Sequence, residues 1–191
     1  MATDTLQVWI ADLAAYNEGH LHGRWVDATD ADEMYEAAKE IIASSPATFA
    51  EEWAIHDYNG FPSAVVSELG EYASFETVAN VATAIEEHGE AFEKWLSVQE
   101  HYELNDPSLG ERFEEHYRGE WDSEEAYAME TACEIGWHNV PPVVFADRWG
   151  DHKIEVFDEL SSYIDWETVA REMFRHGPYS FVDGYVFEED W

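Results

Sequence analysis

The excess of acidic over basic side chains constrains the fold of this chain more than any other feature of its sequence. The 191 residues include 43 Asp and Glu against 9 Lys and Arg, which gives a formal net charge of −34. Charge of one sign opposes compaction through self-repulsion. A stable fold therefore has to spread its carboxylates in space, or salt or a partner has to neutralise them.

The apolar content shows that this is not a disordered acidic chain. Hydrophobic residues make up 46% of the sequence and aromatic residues 15%, whereas disordered acidic chains are poor in aromatic residues. The length fits one domain or two to three small ones. The net charge is −10 in residues 1–61, −8 in 62–104 and −16 in 105–191. We therefore expect folded domains that all carry acidic surface.

The pattern of the sequence predicts an α+β protein, an elongated chain of three small domains. In the first domain, residues 1–61, alternating apolar residues predict strands in LQVWIADL (6–13), RWVDA and EEWAIHDY (51–58). Asp30 is placed to cap a helix through ADEMYEAAKEIIA. The order is β-β-α-β, and the strong breaker NGFP ends the domain.

The second domain, residues 62–106, is predicted to be helical. SAVVSELG forms a short helix, and Ser74 caps a longer one through FETVANVATAIEEH that Gly89 closes. A third helix follows in AFEKWLSVQEHY. The next helix is expected to start with Asp106 as its N-cap and Pro107 as its first residue.

The third domain, residues 107–191, is predicted to be mixed. One helix runs through SLGERFEEHYRG and stops at Gly119, and a second is capped by Asp122 and ends at Gly136. Short strands are expected in VPPVVFADRWGDHKIEVF, followed by a helix in DWETVAREMF. A hairpin is expected around Asp183–Gly184.

Motifs for catalysis and for metal binding are absent from the sequence. The nine histidines occur in neither HExxH nor Glu-x-x-His spacing. The chain has no GxSxG, P-loop or dinucleotide fingerprint. Cys133 is the only cysteine, so we interpret it as a small core residue. We expect no catalytic residue, no metal and no cofactor.

The sequence also predicts a cytoplasmic protein that does not contact membranes. The N-terminus MATDTLQVWIADL has no basic region before an apolar run, so it does not resemble a signal peptide. No apolar run is long enough to span a bilayer. An anionic membrane surface would repel a chain with this net charge.

Adaptation to a salty cytoplasm is one interpretation of the charge. Halophilic proteins are acidic and poor in lysine, and the only lysines here are Lys39, Lys94 and Lys153. On this interpretation the protein is an acidic enzyme or a metal-binding domain. Folding at low salt would argue against it.

Imitation of DNA is the other interpretation. B-form DNA carries one negative charge per about 1.7 Å of its axis, so 34 charges correspond to roughly 17 base pairs, or about 58 Å of duplex. In ERFEEHYRGEWDSEEAY (111–127), seven acidic residues face only two arginines. Carboxylates one helical turn apart lie about 5–6 Å from one another. Such a pattern would suit a basic DNA-binding cleft.

Several segments, in this order, resemble one known family. The resemblance spans nearly the whole chain and is carried by YNEG (16–19), HGRW (22–25), EEWAIHDYNGFP (51–62), ERFEEHYRGEWDSEEAYAMETACEIG (111–136), YIDWETVAREMF (163–174) and DGYVF (183–187). Together they look like ArdA, the antirestriction family of mobile elements. The AIHDY and FEEHYRGEWDSEEAYA blocks are the most specific.

The resemblance implies an elongated homodimeric DNA mimic with three small domains per chain. Such a protein inhibits type I restriction-modification enzymes by occupying the DNA-binding groove of the methyltransferase core, without chemistry and without binding nucleic acid itself. This protects incoming plasmid or transposon DNA. A mimic aimed at another DNA-binding protein, such as a nucleoid protein, is a further alternative. We predict that the DNA-mimicking surface comprises Glu68, Glu71, Glu86, Glu87, Glu111, Glu114, Glu115, Glu120, Asp122, Glu124 and Glu125.

Overall fold

The fold is α+β, as the sequence predicts. The computed structural model describes residues 5–99, 103–139 and 164–189, and for residues 132–139 it describes the backbone alone. Within these ranges it contains eight helices and two three-stranded antiparallel sheets. The chain divides into two compact units, residues 1–115 and 116–191.

The first unit begins with a sheet and continues with helices. Its elements are β1 (Gln7–Asp12), α1 (Leu13–Asn17), β2 (Gly23–Asp27), α2 (Ala31–Ala43), β3 (Trp53–Asn59), α3 (Ser63–Leu69), α4 (Phe75–His88), α5 (Glu90–Val98) and α6 (Leu109–His116). The strand order is β2-β1-β3, so β1 is the central strand.

Side chains alternate between the two faces of β1, and this explains which face of the N-terminal sheet is buried. Val8 and Ile10 are fully buried, and Trp9 on the opposite face packs edge-on against Trp25 of β2. Helix α2 lies against β1 and β2, and its buried face includes Met34. The predicted cap is confirmed, because the Asp30 carboxylate accepts the Glu33 N–H at 3.0 Å.

Helix α1 was not predicted, and its cap is the one buried charged residue among the described residues. The Asp12 Oδ1 atom accepts the N–H groups of Ala14 at 2.9 Å and Ala15 at 3.2 Å. Two backbone N–H donors satisfy this carboxylate oxygen where a helix starts. The tight turn directly after β1 leads the chain back towards β2.

The helices α4, α5 and α6 share an aromatic core. Phe92 and Trp95 of α5 contact Phe113 of α6, with ring centroids 5.7 and 5.8 Å apart. The Ser74 hydroxyl accepts the Thr77 N–H at 3.1 Å at the start of α4, as predicted. Gly89 ends α4 with φ +57°, a conformation that favours glycine.

In its described residues, the second unit contains a small sheet and two helices. Its elements are β4 (Tyr117–Glu120), α7 (Glu124–Asn139), α8 (Trp166–His176), β5 (Tyr179–Val182) and β6 (Tyr185–Glu188). The strand order is β4-β6-β5, so β6 is central. The predicted hairpin is confirmed: Asp183 has φ +50° and Gly184 φ +96°, which matches the two positive φ angles of a type I′ turn.

The helix predicted to stop at Gly119 is shorter than expected at both ends. It starts at Leu109, not Pro107, because Asp106 and Pro107 form a turn in which the Asp106 carboxylate accepts the Ser108 N–H. It ends at His116, because Tyr117 starts β4 and pairs with Phe187. A partner strand 70 residues away in sequence thus overrides the local helical pattern.

The boundaries predicted for α7 were wrong at both ends as well. Ser123, not Asp122, provides the cap, since its hydroxyl accepts the Ala126 N–H at 3.1 Å. Gly136 lies inside the helix, which continues to Asn139. The strands predicted in residues 140–157 and the side chain of Cys133 lie outside the described residues.

Candidate charged interaction surface

The predicted acidic residues are almost all on the surface. Ten are exposed, and Glu124 is half-buried. The exposed ones are Glu68, Glu71, Glu86, Glu87, Glu111, Glu114, Glu115, Glu120, Asp122 and Glu125. A solvated side chain keeps its charge at low energetic cost, so this set contributes negative potential to the surface.

None of these eleven carboxylates pairs with a lysine or arginine in the part of the chain that the structure describes. Five of the described basic side chains are held by other acids, in the pairs Arg24–Glu40, Lys39–Glu36, Lys94–Glu90, Arg112–Asp106 and Arg118–Glu188. The predicted surface acids are therefore left without a lysine or arginine partner among the described residues.

Arg112 shows how this separation is achieved. Although it lies between Glu111 and Glu114 in sequence, its guanidinium is 3.5 Å from Asp106 Oδ2. Hydrogen bonds from Ser108, followed by the contribution of Arg112, hold the pKa of the Asp106 carboxyl below its usual value. Arg112 is thus directed to the start of α6, and the acids further along the helix have no lysine or arginine partner among the described residues.

Three of the predicted acids meet at a groove between α4 and α6. Glu87, Glu111 and Glu114 line it together with small residues such as Ala84 and Gly110. Gly110 lies close to α4, since a Cβ there would be in ordinary van der Waals contact with Ala84 Cβ, at 3.9 Å. Glu87 is 24 positions before Glu111 and 27 before Glu114, and the packing of the two helices brings them together.

His88 lies at the centre of this groove. Its Nε2 atom is 4.0 Å from a carboxylate oxygen of both Glu87 and Glu114. The imidazole also lies against the Phe113 ring, with centroids 4.6 Å apart, and is mostly buried. This packing fixes the ring between the two carboxylates, which stand on different helices.

Glu68 and Glu71 lie elsewhere on the first unit. Glu68 borders a shallow groove with Ser74, Thr77 and Glu103. The backbone carbonyl of Glu71 accepts the Ile55 N–H of β3 at 3.0 Å, which fixes this loop to the sheet. These two acids therefore do not belong to the α4–α6 groove.

The remaining acids belong to the second unit. Glu120 ends β4, opposite Tyr185, and Asp122 follows in the turn. Glu124 and Glu125 occupy the first turn of α7, where the helix dipole favours negative charge. The acidic block 111–125 is thus divided between two units and three elements, and does not form one helix face.

Sequence reasoning missed a set of aromatic residues on the first unit. Trp53 and Tyr72 are partly or largely exposed and line a cavity with Glu51 and Glu52. The available signal was the sequence EEW at the start of a strand, where residues that end up exposed carry charge and aromatic surface together.

The described residues show no metal centre and no membrane segment. They contain no group of three or more His, Cys, Asp and Glu side chains arranged to hold a metal ion. None of the helices in these ranges has both the length and the apolar character required to cross a bilayer.

These features define an acidic protein whose charged surface is available to a partner. A model of the family described as antirestriction protein (ArdA) matches residues 8–188, nearly the whole chain. The chain therefore belongs to the ArdA family of antirestriction proteins, which confirms the resemblance seen in the sequence. Members of this family are inhibitors of restriction, not catalysts. No curated protein has significant similarity to the chain.

Proposed function

We propose that this protein is a DNA mimic that occupies the DNA-binding groove of type I restriction-modification enzymes and inhibits them without catalysis. The observation that carries the proposal is the unneutralised acid on the surface of a member of an antirestriction family. In the proposed mechanism, carboxylates take the places of DNA phosphates in a basic groove, and the protein competes directly with DNA.

The distribution of ion pairs supports this mechanism. The described lysines and arginines that form ion pairs do so with acids outside the predicted surface. Binding of a polyanion to a basic groove releases counterions, as DNA binding does. Acids that were already paired within the chain would contribute little to this effect.

The spacing of the carboxylates in α6 also supports it. Glu111, Glu114 and Glu115 lie within one helical turn, where side chains three or four positions apart are about 5–6 Å from one another. Across the groove, α4 adds Glu87. Two adjacent helices thus provide a short array of negative charges on rigid elements.

The proposal includes a homodimer with an elongated, three-domain chain, located in the cytoplasm. A dimer doubles the charge available to the groove, from 34 to about 68, which equals the phosphates of roughly 34 base pairs. Sedimentation equilibrium tests the dimer, and small-angle X-ray scattering tests the elongated shape. A monomer in solution would contradict the proposed assembly.

The decisive experiment is displacement of DNA from a purified type I methyltransferase by the full-length protein. We expect complete displacement, with an affinity that falls steeply as salt rises, because charge-driven association is screened. An affinity for the enzyme alone, measured without DNA, that does not fall with rising salt would reject the mechanism, and so would the absence of any displacement. The same titration against a nucleoid protein tests the alternative target.

A matched pair of variants tests the placement of the surface. Conversion of Glu114, Glu115, Glu124 and Glu125 to glutamine should weaken displacement by more than about tenfold, whereas each single change should have little effect, because many contacts share the binding energy. The control converts four other exposed acids, Glu18, Glu33, Glu167 and Glu189, and has the same net charge. Equal losses in both variants would show that only total charge matters.

Salt adaptation is tested separately. If the acidity only reflects a salty cytoplasm, the protein should lose its circular dichroism signal when salt is removed. We expect the purified protein to stay folded at low salt.

A further inference from the structure

We infer that the cavity between α1, the start of β3 and the α3–α4 loop is an anchor for an arginine side chain of the inhibited enzyme. This inference rests on the proposed function and adds to it a contact that DNA itself does not make. The cavity is lined by Leu13, Glu51, Glu52, Trp53 and Tyr72, is open to solvent and has a volume of about 340 Å³. That volume is at the lower end of the range for ligand sites.

Backbone hydrogen bonds hold the walls of this cavity in place. The Leu13 N–H donates to the Glu52 carbonyl at 3.1 Å, and the Ile55 N–H donates to the Glu71 carbonyl at 3.0 Å. The first bond fixes the start of α1 against β3, and the second fixes the loop that carries Tyr72. Three separate segments thus form a preorganised site.

Both aromatic walls are accessible, and Trp53 is held by a ring contact. The Trp53 ring stacks on Phe75, with centroids 6.3 Å apart and planes 17° from parallel. Trp53 is nevertheless 37% exposed and Tyr72 is 76% exposed. Burial of such rings by a partner stabilises a complex, and tyrosine, tryptophan and arginine are the residues enriched at interface hot spots.

Two carboxylates complete the site. Glu51 and Glu52 are exposed, and neither has an ion-pair or side-chain hydrogen-bond partner among residues 5–99, 103–139 and 164–189. The combination of aromatic faces with free carboxylates fits the chemistry of a guanidinium group. The guanidinium plane stacks on aromatic rings, and two of its N–H groups can donate in parallel to one carboxylate.

Other occupants fit less well. A second copy of this chain, with its charge of −34, would bring further carboxylates against Glu51 and Glu52. A nucleic-acid base would bring phosphates, and a purely apolar ligand would desolvate both carboxylates without compensation. An enzyme groove that binds DNA phosphates presents arginine side chains, so it supplies the complementary group.

The test compares variants of the full-length protein in the methyltransferase displacement assay. Tyr72→Ala and the pair Glu51→Gln/Glu52→Gln should each raise the concentration for half-displacement about five- to tenfold, the range expected for an ordered cation–π contact. Tyr72→Phe keeps the ring and should retain wild-type inhibition. The controls are Phe49→Ala, which removes an exposed ring outside the cavity, and Glu18→Gln/Glu33→Gln, which removes two charges elsewhere.

The outcomes separate this inference from the proposed function. If wild-type protein displaces DNA but cavity variants behave like their controls, the arginine anchor is wrong and the mimic stands. If wild-type protein displaces no DNA, the proposed function fails, and binding of a labelled tri-arginine peptide decides on the cavity. Loss of peptide binding in the cavity variants alone supports a guanidinium site, whereas equal loss in the controls overturns it. Circular dichroism verifies that every variant is folded.

Discussion

The two sheets in the described part of the chain have the same strand number and direction but are stabilised differently. In the N-terminal sheet, strands of five to seven residues surround a central strand whose Val8 and Ile10 are fully buried. In the C-terminal sheet every strand has four residues, and β5 is only half-buried along its whole length.

The C-terminal sheet relies on aromatic side chains instead of strand length. The Phe187 ring lies 5.9 Å from Tyr117, and Tyr127 contacts Tyr179 and Phe174 at 5.3 and 5.8 Å. Edge-to-face aromatic pairs add about 0.5–1.5 kcal/mol beyond the area that they bury. A small acidic unit can thus be stable with short strands if large aromatic rings fill its interior.

The strongest test of this comparison removes one buried side chain from each central strand. Phe187→Ala should lower the free energy of unfolding by about 3–5 kcal/mol, and Ile10→Ala by about 2–5 kcal/mol. Urea denaturation gives the totals, and hydrogen exchange assigns each loss to a unit. A loss below about 1 kcal/mol for Phe187→Ala would contradict the role of aromatic packing.

The second-largest effect is expected at alkaline pH, where the aromatic core of the second unit should lose stability. Burial, the main cause, raises the pKa of Tyr127 from 10.0 to about 12. The unfolded chain therefore loses this proton first, and the stability that Tyr127 contributes is complete below pH 10 and is lost as the pH rises to about 12.

Tyr127→Phe should reduce this loss in the second unit, measured as the shift of its unfolding midpoint between pH 9 and about 12. Part of the loss should remain, because burial also raises the pKa of Tyr117 in the same unit. Burial also raises the pKa of Tyr58 in the first unit, so that unit should stay sensitive to alkali. Exposed Tyr16→Phe is the control. An unchanged pH profile in Tyr127→Phe would refute the assignment.

Helix caps provide a smaller and more symmetrical test. Ser74 and Ser123 accept N–H groups at the same distance, 3.1 Å, one in each unit. Replacement of either by alanine should cost about 1 kcal/mol. Asp122→Ala should cost much less, since Asp122 is not the cap of α7. Thermal unfolding in which Asp122→Ala is more harmful than Ser123→Ala would restore the original prediction.

The smallest effect is expected from the ion pairs of the two sheets. The Arg118 Nε and Nη2 atoms lie 2.8 and 2.7 Å from Glu188 Oε2, and both side chains are about one third exposed. Arg24 and Glu40 are 2.7 Å apart but more exposed, at 50% and 66%. Double-mutant cycles should give about 1 kcal/mol for the first pair and less than about 0.5 kcal/mol for the second. Equal coupling energies would show that burial does not distinguish them.

Sequence reasoning worked where the signal was local. Asp30 and Ser74 cap the helices that follow them, and Asp183–Gly184 forms the predicted turn, because each depends on groups within four residues. The helix predicted through Tyr117 was wrong, because Tyr117 pairs with a strand that is remote in sequence. Helix α1 was not predicted, because no apolar pattern accompanies its buried cap Asp12.

The acidic surface was predictable only in part. Composition alone identified an excess of charge, and the motifs identified the family. Whether a given carboxylate is neutralised depends on where a basic side chain is directed, and Arg112 is directed to Asp106 and away from its acidic neighbours. The partner of a basic side chain depends on three-dimensional side-chain geometry, which the spacing of residues in the sequence does not predict.

The charge, the α+β class and the family could be predicted from the residues, because they follow from residue types and short-range patterns. That Glu87 and Glu114 meet across a groove, and that Trp53 and Tyr72 line one cavity, emerged only from the fold. Close packing brings together residues that are far apart in the chain, and only those contacts fix which charges and rings face a partner.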